Sequence, residues 1–594
     1  MKNVRRVLLA GILITAGLAL WIAAVDGVQL RVAGVVLRSR DPLRPMVVAV
    51  TLLAVYVFAF RSAFVADVAR LERTSRRAAA PLALACALAL TAGAWIWGTR
   101  AASGSDAFGY ISQAYGWLHG SLPRPQPLPA HVPWPSAAAS LAPLGYRPAP
   151  GDAAIVPTYP PGLPLIMAAV TAIAGACGPY VVVPLFAGLL VWMTFLLGRR
   201  VADAPVGGLA ALFVAASPVV IFQSLWPMTD VPAAALWTAA AVVALRTSRL
   251  SALGAGILAA AAVLVRPNLW FIPPAFAAYF LFASSTRREG LVRAAVFCAA
   301  VAPAVLAIAA LNAWWYGGPL RSGYGTSGVL YSLSSVWPNL RRYPAWLVRS
   351  HSPLVLLFLA PLFLWRRTGV DHRALLLSYL LIAATWLCYL VYFPFEEWWY
   401  LRFLLPAVPA TLVLVALAIR AMARGVPDPW GGVLATVLAA GMLTAELRFT
   451  HAQQMLGPLR DGEQRYVEVG LAMKNALPAN AIVLAIQHSG SVRFYSGHPT
   501  VRFDLIDEGW VARAGDALVK AGYRPYAVFE DWELAQVRGR LGLRPDEALP
   551  WRLIARLREP VGVNVFALAP DENATMPVAL SLTTDRGCVP PAGY

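Results

Sequence analysis

Lysine is almost missing from this chain: Lys2, Lys474 and Lys520 are the only three among 49 basic residues, and the rest are arginine. So one-sided a choice reads as a coding bias, which leaves part of the net charge of +19 without functional meaning. Charge of either sign is scarce too, at 13% of 594 residues against 59% apolar, with mean hydropathy +0.62, and this excludes a water-soluble protein of ordinary composition. The arginines stand in pairs at the ends of apolar runs, where they anchor topology and meet anionic headgroups, so membrane lipids are expected partners and nucleic acid is not. Cysteine is sparse: Cys86, Cys177, Cys298 and Cys388 fall in apolar segments and Cys588 in the tail. No metal-ligand spacing results, no disulfide framework is expected, and all five read as small core residues. A phosphate-binding loop is also lacking. Gly254–Ala259 matches a dinucleotide fingerprint formally, but no strand precedes it and close helix packing is the better reading.

What the chain does have is long apolar runs without strict alternation, which excludes a β-barrel and leaves helices of about 17–25 residues as the spanning structure. About thirteen spans are predicted, at 7–25, 46–66, 80–98, 180–198, 206–222, 231–247, 252–265, 268–284, 294–313, 353–366, 373–393, 404–423 and 430–448. The segment from Gly162 to Cys177 follows Pro160-Pro161 and is short, so it is read as lying at or dipping into the interface. With that choice Arg5, Arg6, Arg70, Arg73, Arg76, Arg77, Arg199, Arg200, Arg246, Arg249, Arg287, Arg288, Arg293, Arg366, Arg367, Arg373, Arg420 and Arg424 share one side, the cytoplasm by the positive-inside bias. Arg31, Arg38, Arg40 and Arg44 run against the rule. Lys2, Arg5 and Arg6 before an apolar run resemble a signal sequence, whose length favours an uncleaved anchor over a cleaved one.

The expected organisation is an N-terminal helix pair (1–79), a catalytic transmembrane region (80–449) with an outer loop at 99–161, and a soluble extracytoplasmic α/β domain (450–594). Strand-like runs at Ala481–Ile486, Ala527–Phe529 and Val563–Leu568 alternate there with helical stretches at Arg465–Ala476 and Ala512–Lys520, a pattern able to give a partly parallel sheet. His488 and His498 read as satisfied loop residues rather than metal ligands.

Two acids stand at predicted span ends on the outer side: Asp106 in Gly104-Ser105-Asp106-Ala107, and Asp230 in Met228-Thr229-Asp230-Val231-Pro232. Each has a structural reading, as an N-cap of the helix that follows it. Arg266, between two short apolar segments, marks a pathway or substrate site, or else snorkels or pairs with an acid. Arg402 and Glu397 lie in Glu396-Glu397-Trp398-Trp399-Tyr400-Leu401-Arg402, a mixture suited to a carbohydrate site or to an interfacial aromatic belt. Arg321, Tyr324 and Tyr159 are further candidates for the same cavity.

Ser105-Asp106-Ala107, Tyr159-Pro160-Pro161-Gly162, Met228-Thr229-Asp230-Val231-Pro232 and Arg266-Pro267-Asn268, in that order and sidedness, resemble membrane glycosyltransferases of the C superfamily (GT-C), in the branch of protein O-mannosyltransferases and lipid A aminoarabinose transferases. The likeness covers roughly residues 80–423. It implies an α-helical polytopic fold and transfer of a hexosyl or pentosyl group from a polyprenyl-phosphate donor to a glycan, lipid or protein acceptor at the outer face, usually with inversion. Asp106 is then the general base. Asp230 is the second acid, either positioning the first or holding a divalent metal ion with it, since metal use varies in the superfamily. Arg266, with Tyr159, Arg402, Arg321, Tyr324 and Glu397, would meet donor phosphate or sugar. The acid-bearing loop follows an earlier span in the relatives, so the N-terminal pair lies outside the transfer. The expected location is a bacterial cytoplasmic (inner) membrane, N-terminus inside. A transporter or flippase, or a non-catalytic envelope-assembly scaffold, are the alternatives.

Overall fold

The computed structural model describes residues 2–25, 28–32, 35–39, 41–364, 370–427, 429–569, 579–580 and 587–593. Arg40, Arg366 and Arg367 of the predicted topology lie outside them. Among the described residues seven helical segments are long and apolar enough to cross a membrane: Asn3–Val25, Arg61–Trp97, Gly162–Val201, Arg287–Tyr316, His372–Leu390, Trp398–Arg424 and Trp430–Ala452. Two bent pairs raise this to nine, and four apolar helices of 10–17 residues remain, at Leu43–Ala59, Asp230–Ala244, Arg249–Val265 and Ile272–Ala283. The expected figure of about thirteen is reached only by counting these as crossings.

The bends have polar joints. The chain breaks by 58° between Ala204–Ala216 and Pro218–Ser224, and by 116° between Leu333–His351 and Pro353–Phe363. Ser217 at the first break lies 2.8 Å from His351 Nε2 at the second, so the two interruptions satisfy each other inside the bundle.

One expectation needs correction. The boundary at 79/80 falls inside one continuous helix, Arg61–Trp97, which runs on through Pro81 and whose Arg, Glu and Ala residues are good helix formers. Gly162–Ala174 and the Gly178–Val201 helix are helical almost without a break but do not form one straight rod. A Cβ on Gly178 would sit 2.4 Å from Thr171 Cα, whereas residues seven apart on a straight helix are about 10 Å apart. The chain turns back at Gly175 (φ 63°).

That turn carries the largest surprise. Cys177 and Cys588 form a disulfide across 411 residues, while Cys298 is exposed and only Cys388 of the free thiols is buried. Spacing gave no hint of it, because a pair this far apart meets only through the tertiary fold.

Small antiparallel pairs occur early: β1 (Val28–Val32) with β2 (Val35–Ser39), and a sheet of order β3-β5-β4 from Arg124–Pro125, Tyr146–Pro148 and Ala154–Pro157 in the outer loop. The C-terminal sheet has strands β6 (Ala481–Ala485), β7 (Thr500–Arg502), β8 (Arg524–Glu530), β9 (Arg552–Leu557), β10 (Val563–Ala567) and β11 (Ala579–Leu580), in the order β11-β9-β10-β8-β6-β7. It is parallel along β7-β6-β8 and antiparallel along β8-β10-β9, so the partly parallel reading holds at the β7 end of the sheet. This region is not packed separately from the outer loop. Leu128, Val132, Trp134 and Leu141 of the loop share one buried core with Ile482, Leu484, Val501 and Phe503. Ser136 Oγ also donates to Asp507 at 2.6 Å.

Elsewhere in the bundle Asp203 pairs with Arg420 at 2.8 Å and accepts from Arg424 at 3.4 Å, and Glu72 lies 3.6 Å from Arg420. Arginines predicted to share a side therefore meet. A test of the covalent link is thiol counting after denaturation: three cysteines should alkylate without reductant and five with it. Five reactive thiols in unreduced protein from intact cells would contradict it.

Candidate active site

Asp106 and Asp230 are built alike. Each is the first residue of a helix, Asp106–Leu118 and Asp230–Ala244, so each anion sits at the positive end of a helix dipole. Neither serves as a cap: the preceding residues, Ser105 and Thr229, hold the N-cap places, and neither of those makes a side-chain cap bond. The carboxylates are engaged elsewhere. Tyr159 Oη donates to Asp106 Oδ1 at 2.6 Å, and Arg402 Nη1 donates to Oδ2 at 3.3 Å. Arg266 Nη1 donates to Asp230 Oδ1 at 2.7 Å, and its Nε to Tyr389 Oη at 2.8 Å.

One aromatic wall joins the two ion pairs. The guanidiniums of Arg266 and Arg402 lie 5.6 and 5.4 Å from the centre of the Phe403 ring, which stacks on Tyr389 at 4.9 Å. Both carboxylates attract Arg402. The charges thus alternate along one cluster: Asp106, Arg402, Asp230, Arg266. Exposure separates the acids. The Asp106 side chain is 34% exposed and lines a cavity of about 490 Å³, whereas Asp230 is 1% exposed and stays behind Met228 and Arg402 without reaching that cavity. Of the two acids, only Asp106 therefore lines that cavity. Arg266 shows the pairing that sequence left as an alternative, because a cation so deeply enclosed is held by an acid.

The backbone around Asp106 is closely fitted. A Cβ on Gly109 would fall 2.3 Å from the Tyr159 ring, and one on Gly145 (φ 83°) would fall 2.8 Å from the carbonyl of Ser105. Tyr159 therefore lies flat against the first turn of the Asp106 helix, which brings its hydroxyl to both Asp106 and Ser105 Oγ, the latter at 2.7 Å. From the other side the C-terminal domain clamps the same helix: Tyr495 Oη accepts from the Ala102 amide at 2.7 Å, and Phe108 packs edge-on to Phe494.

The remaining candidates divide. Tyr324 reaches the site indirectly, edge-on to Tyr159 at 6.1 Å. Arg321 does not belong to it: the residue is exposed and lines a separate cavity with Arg147 and Tyr316, because the 317–326 loop turns toward the β4–β5 side of the outer loop. Glu397 is exposed and is not among the residues lining the Asp106 cavity, although Trp398, Trp399 and Tyr400 beside it are. Sequence reasoning missed Gln223, Gln453, Met455, Glu463 and Tyr466 in that lining. The last four come from the chain beyond the final span, and no local signal distinguishes them. His488 is not a satisfied loop residue either. It is fully buried, 3.2 Å from Glu530, with Nδ1 lacking a partner, and the buried Nε2 of His498 also lacks one.

A divalent ion shared by Asp106 and Asp230 does not fit this arrangement. Of the four carboxylate oxygens, three accept from Tyr159, Arg402 and Arg266, and the fourth, Asp230 Oδ2, is buried away from the cavity. Two guanidiniums already neutralise the pair.

No family model and no curated protein matches this sequence. Solved structures do. ArnT from Cupriavidus metallidurans bound to undecaprenyl phosphate aligns with TM-score 0.50 and 14% identity, over 81% of this chain and 97% of that one. The Archaeoglobus fulgidus oligosaccharyltransferase tethered with an acceptor peptide aligns with TM-score 0.52 and 12% identity, over 82% and 74%. AglB from the same organism, in complex with an inhibitory peptide and a dolichol-phosphate, gives 0.51 and 12% over 79% and 71%. The chain shares the fold of these three structures. At such identity the likeness is one of architecture, and it extends past the transmembrane region into the C-terminal part.

Two substitutions test the geometry. Arg266→Ala should destabilise the protein by about 3–5 kcal/mol by leaving Asp230 buried and unpaired, and adding Asp230→Asn should restore part of the loss. An unchanged thermal midpoint for Arg266→Ala in detergent would contradict the pairing. Gly109→Ala should push Tyr159 off Asp106 and lower activity with little loss of expression; full activity would show that the Tyr159 contact is dispensable.

Proposed function

We propose that this protein transfers a sugar from a polyprenyl-phosphate-linked donor to an acceptor hydroxyl at the outer face of the membrane, with inversion. The observation that carries this is Asp106, a partly exposed carboxylate in a walled cavity, with Arg402 on its second oxygen. The C-superfamily fold supports the donor class, because ArnT and AglB of that fold were solved with undecaprenyl phosphate and dolichol-phosphate.

In the reaction the acceptor oxygen forms a bond to the anomeric carbon as the bond from that carbon to the lipid phosphate breaks. Asp106 takes the hydroxyl proton, while Tyr159 holds its other oxygen and so fixes the direction of the free lone pairs. The departing electron pair stays on the phosphate. Arg402 is the cation at hand in the cavity, and the long 3.3 Å contact it makes with Asp106 is readily exchanged for a phosphate oxygen. Asp230 and Arg266 act behind it: Asp230 attracts Arg402, and Arg266 donates to Asp230 and holds it in place. Asp106 and Glu463 both line the cavity, and with Asp106 acting as the base rather than the nucleophile the step is a single displacement with inversion.

The disulfide supports placing the C-terminal domain outside the cytoplasm. Cys177 and Cys588 would stay reduced in a cytosol, so the end of the bundle that bears them, and the Asp106 cavity beside it, belong to an oxidising compartment. A multi-pass inner-membrane protein with its C-terminal domain exported meets that condition.

Asp106→Asn keeps size and removes the base. Transfer should fall by about 100-fold or more, while binding of labelled polyprenyl-phosphate sugar is largely kept. Unimpaired transfer would remove Asp106 from its role, and absence of donor binding in the parent protein would favour the transporter or scaffold readings.

A further inference from the structure

The Asp106 cavity has a second wall that the transfer step does not use. It includes Gln223, Trp226 and Trp399, with Glu463 and Tyr466 of the Pro458–Ala476 helix of the C-terminal domain. Gln223 is 2% exposed, yet its Oε1 has no hydrogen-bond partner, and neither has Trp226 Nε1. Buried polar atoms without partners cost stability unless a ligand satisfies them. Here one is an acceptor and the other a donor, a combination that a hydroxyl satisfies from either side because it both donates and accepts.

Charge narrows the ligand further. Arg402 is the single cation among the described lining residues, and the donor phosphate takes it, so an anionic acceptor would meet only Asp106 and Glu463. Glu463 is held in place. Arg465 donates to it at 3.1 Å and is itself fixed by Glu530 at 2.8 Å, which in turn accepts from Trp532 at 2.6 Å. Burial pushes the Glu463 carboxyl up, against the pull of Arg465. A half-exposed indole, Trp399, completes the lining, and a flat apolar ring face is what the C–H side of a sugar packs against.

We propose that the acceptor is a neutral glycan whose terminal sugar binds in this second wall, with Gln223, Trp226 and Glu463 taking its hydroxyls and Trp399 its apolar face. The C-terminal domain is then the acceptor-selecting part, and Glu463 is a specificity-determining residue. This rests on the transferase reading of Asp106, and the following experiment separates the two.

A photoreactive benzoylphenylalanine placed at Tyr400, which lines the same cavity, in the full-length protein irradiated in native membranes should capture an adduct whose mass rises in hexose or pentose steps. Glu463→Gln in the same background should lower the yield about tenfold, the effect of one hydrogen bond to a charged group. Asp106→Asn should leave capture in place. Adducts of peptide or phospholipid alone, or no adduct, overturn the glycan proposal even if Asp106→Asn abolishes transfer. Glycan capture together with full transfer by Asp106→Asn leaves the acceptor site standing and removes the base.

Discussion

Two carboxylates and two guanidiniums alternate at one end of the bundle, and the rest of the structure is arranged to keep them so. Asp230 is almost wholly enclosed, and an unpaired charge there would be prohibitive, so Arg266 must accompany it. The same enclosed acid attracts Arg402 from behind. Arg402 is thereby held near Asp106 by a weak contact, which the proposed reaction exchanges for the donor phosphate. The hidden pair orients the exposed pair, and chemistry is left to the half that solvent and substrate can reach.

Positioning comes from three directions. The starts of two helices present the acids, the Arg249–Val265 helix delivers Arg266 just past its last turn, and the 398–407 segment supplies Arg402 together with the Phe403 ring between the cations. The C-terminal domain adds a lid that is also a clamp. Its Tyr495 and Phe494 hold the Asp106 helix, and Glu463 and Tyr466 close the cavity. The disulfide fastens the tail of that domain to the turn before the Gly178–Val201 helix. A C-terminal domain tied down in this way keeps its side of the cavity in register with the helical bundle.

Much of this was legible in the sequence, and the limits have physical causes. Apolar runs located the helices because a bilayer demands them, and Asp106, Asp230, Arg266 and Arg402 stood out because ionised groups at span ends are costly without a purpose. Tyr159 was found through its motif. Partnership was not legible: nothing local pairs Arg266 with Asp230 or aims Arg402 between two acids, since those contacts span 36 and 296 residues. The same holds for Cys177 with Cys588. Arg321 and Glu397 failed because neighbours of a site in sequence need not face it; a loop turn carried one to another cavity, and the other points outward one residue before three aromatics that line the cavity. Gly254–Ala259 was read correctly as packing, with a Cβ on Gly256 meeting Ala300 at 2.6 Å.

The most direct test of the central claim is an electron cryo-microscopy structure of the Asp106→Asn protein in nanodiscs with a polyprenyl-phosphate sugar. The account predicts the phosphate against Arg402 and the anomeric carbon in the cavity beside residue 106, with the Asp230–Arg266 pair intact behind them. A sugar bound elsewhere, or a phosphate that leaves Arg402 untouched, would contradict it.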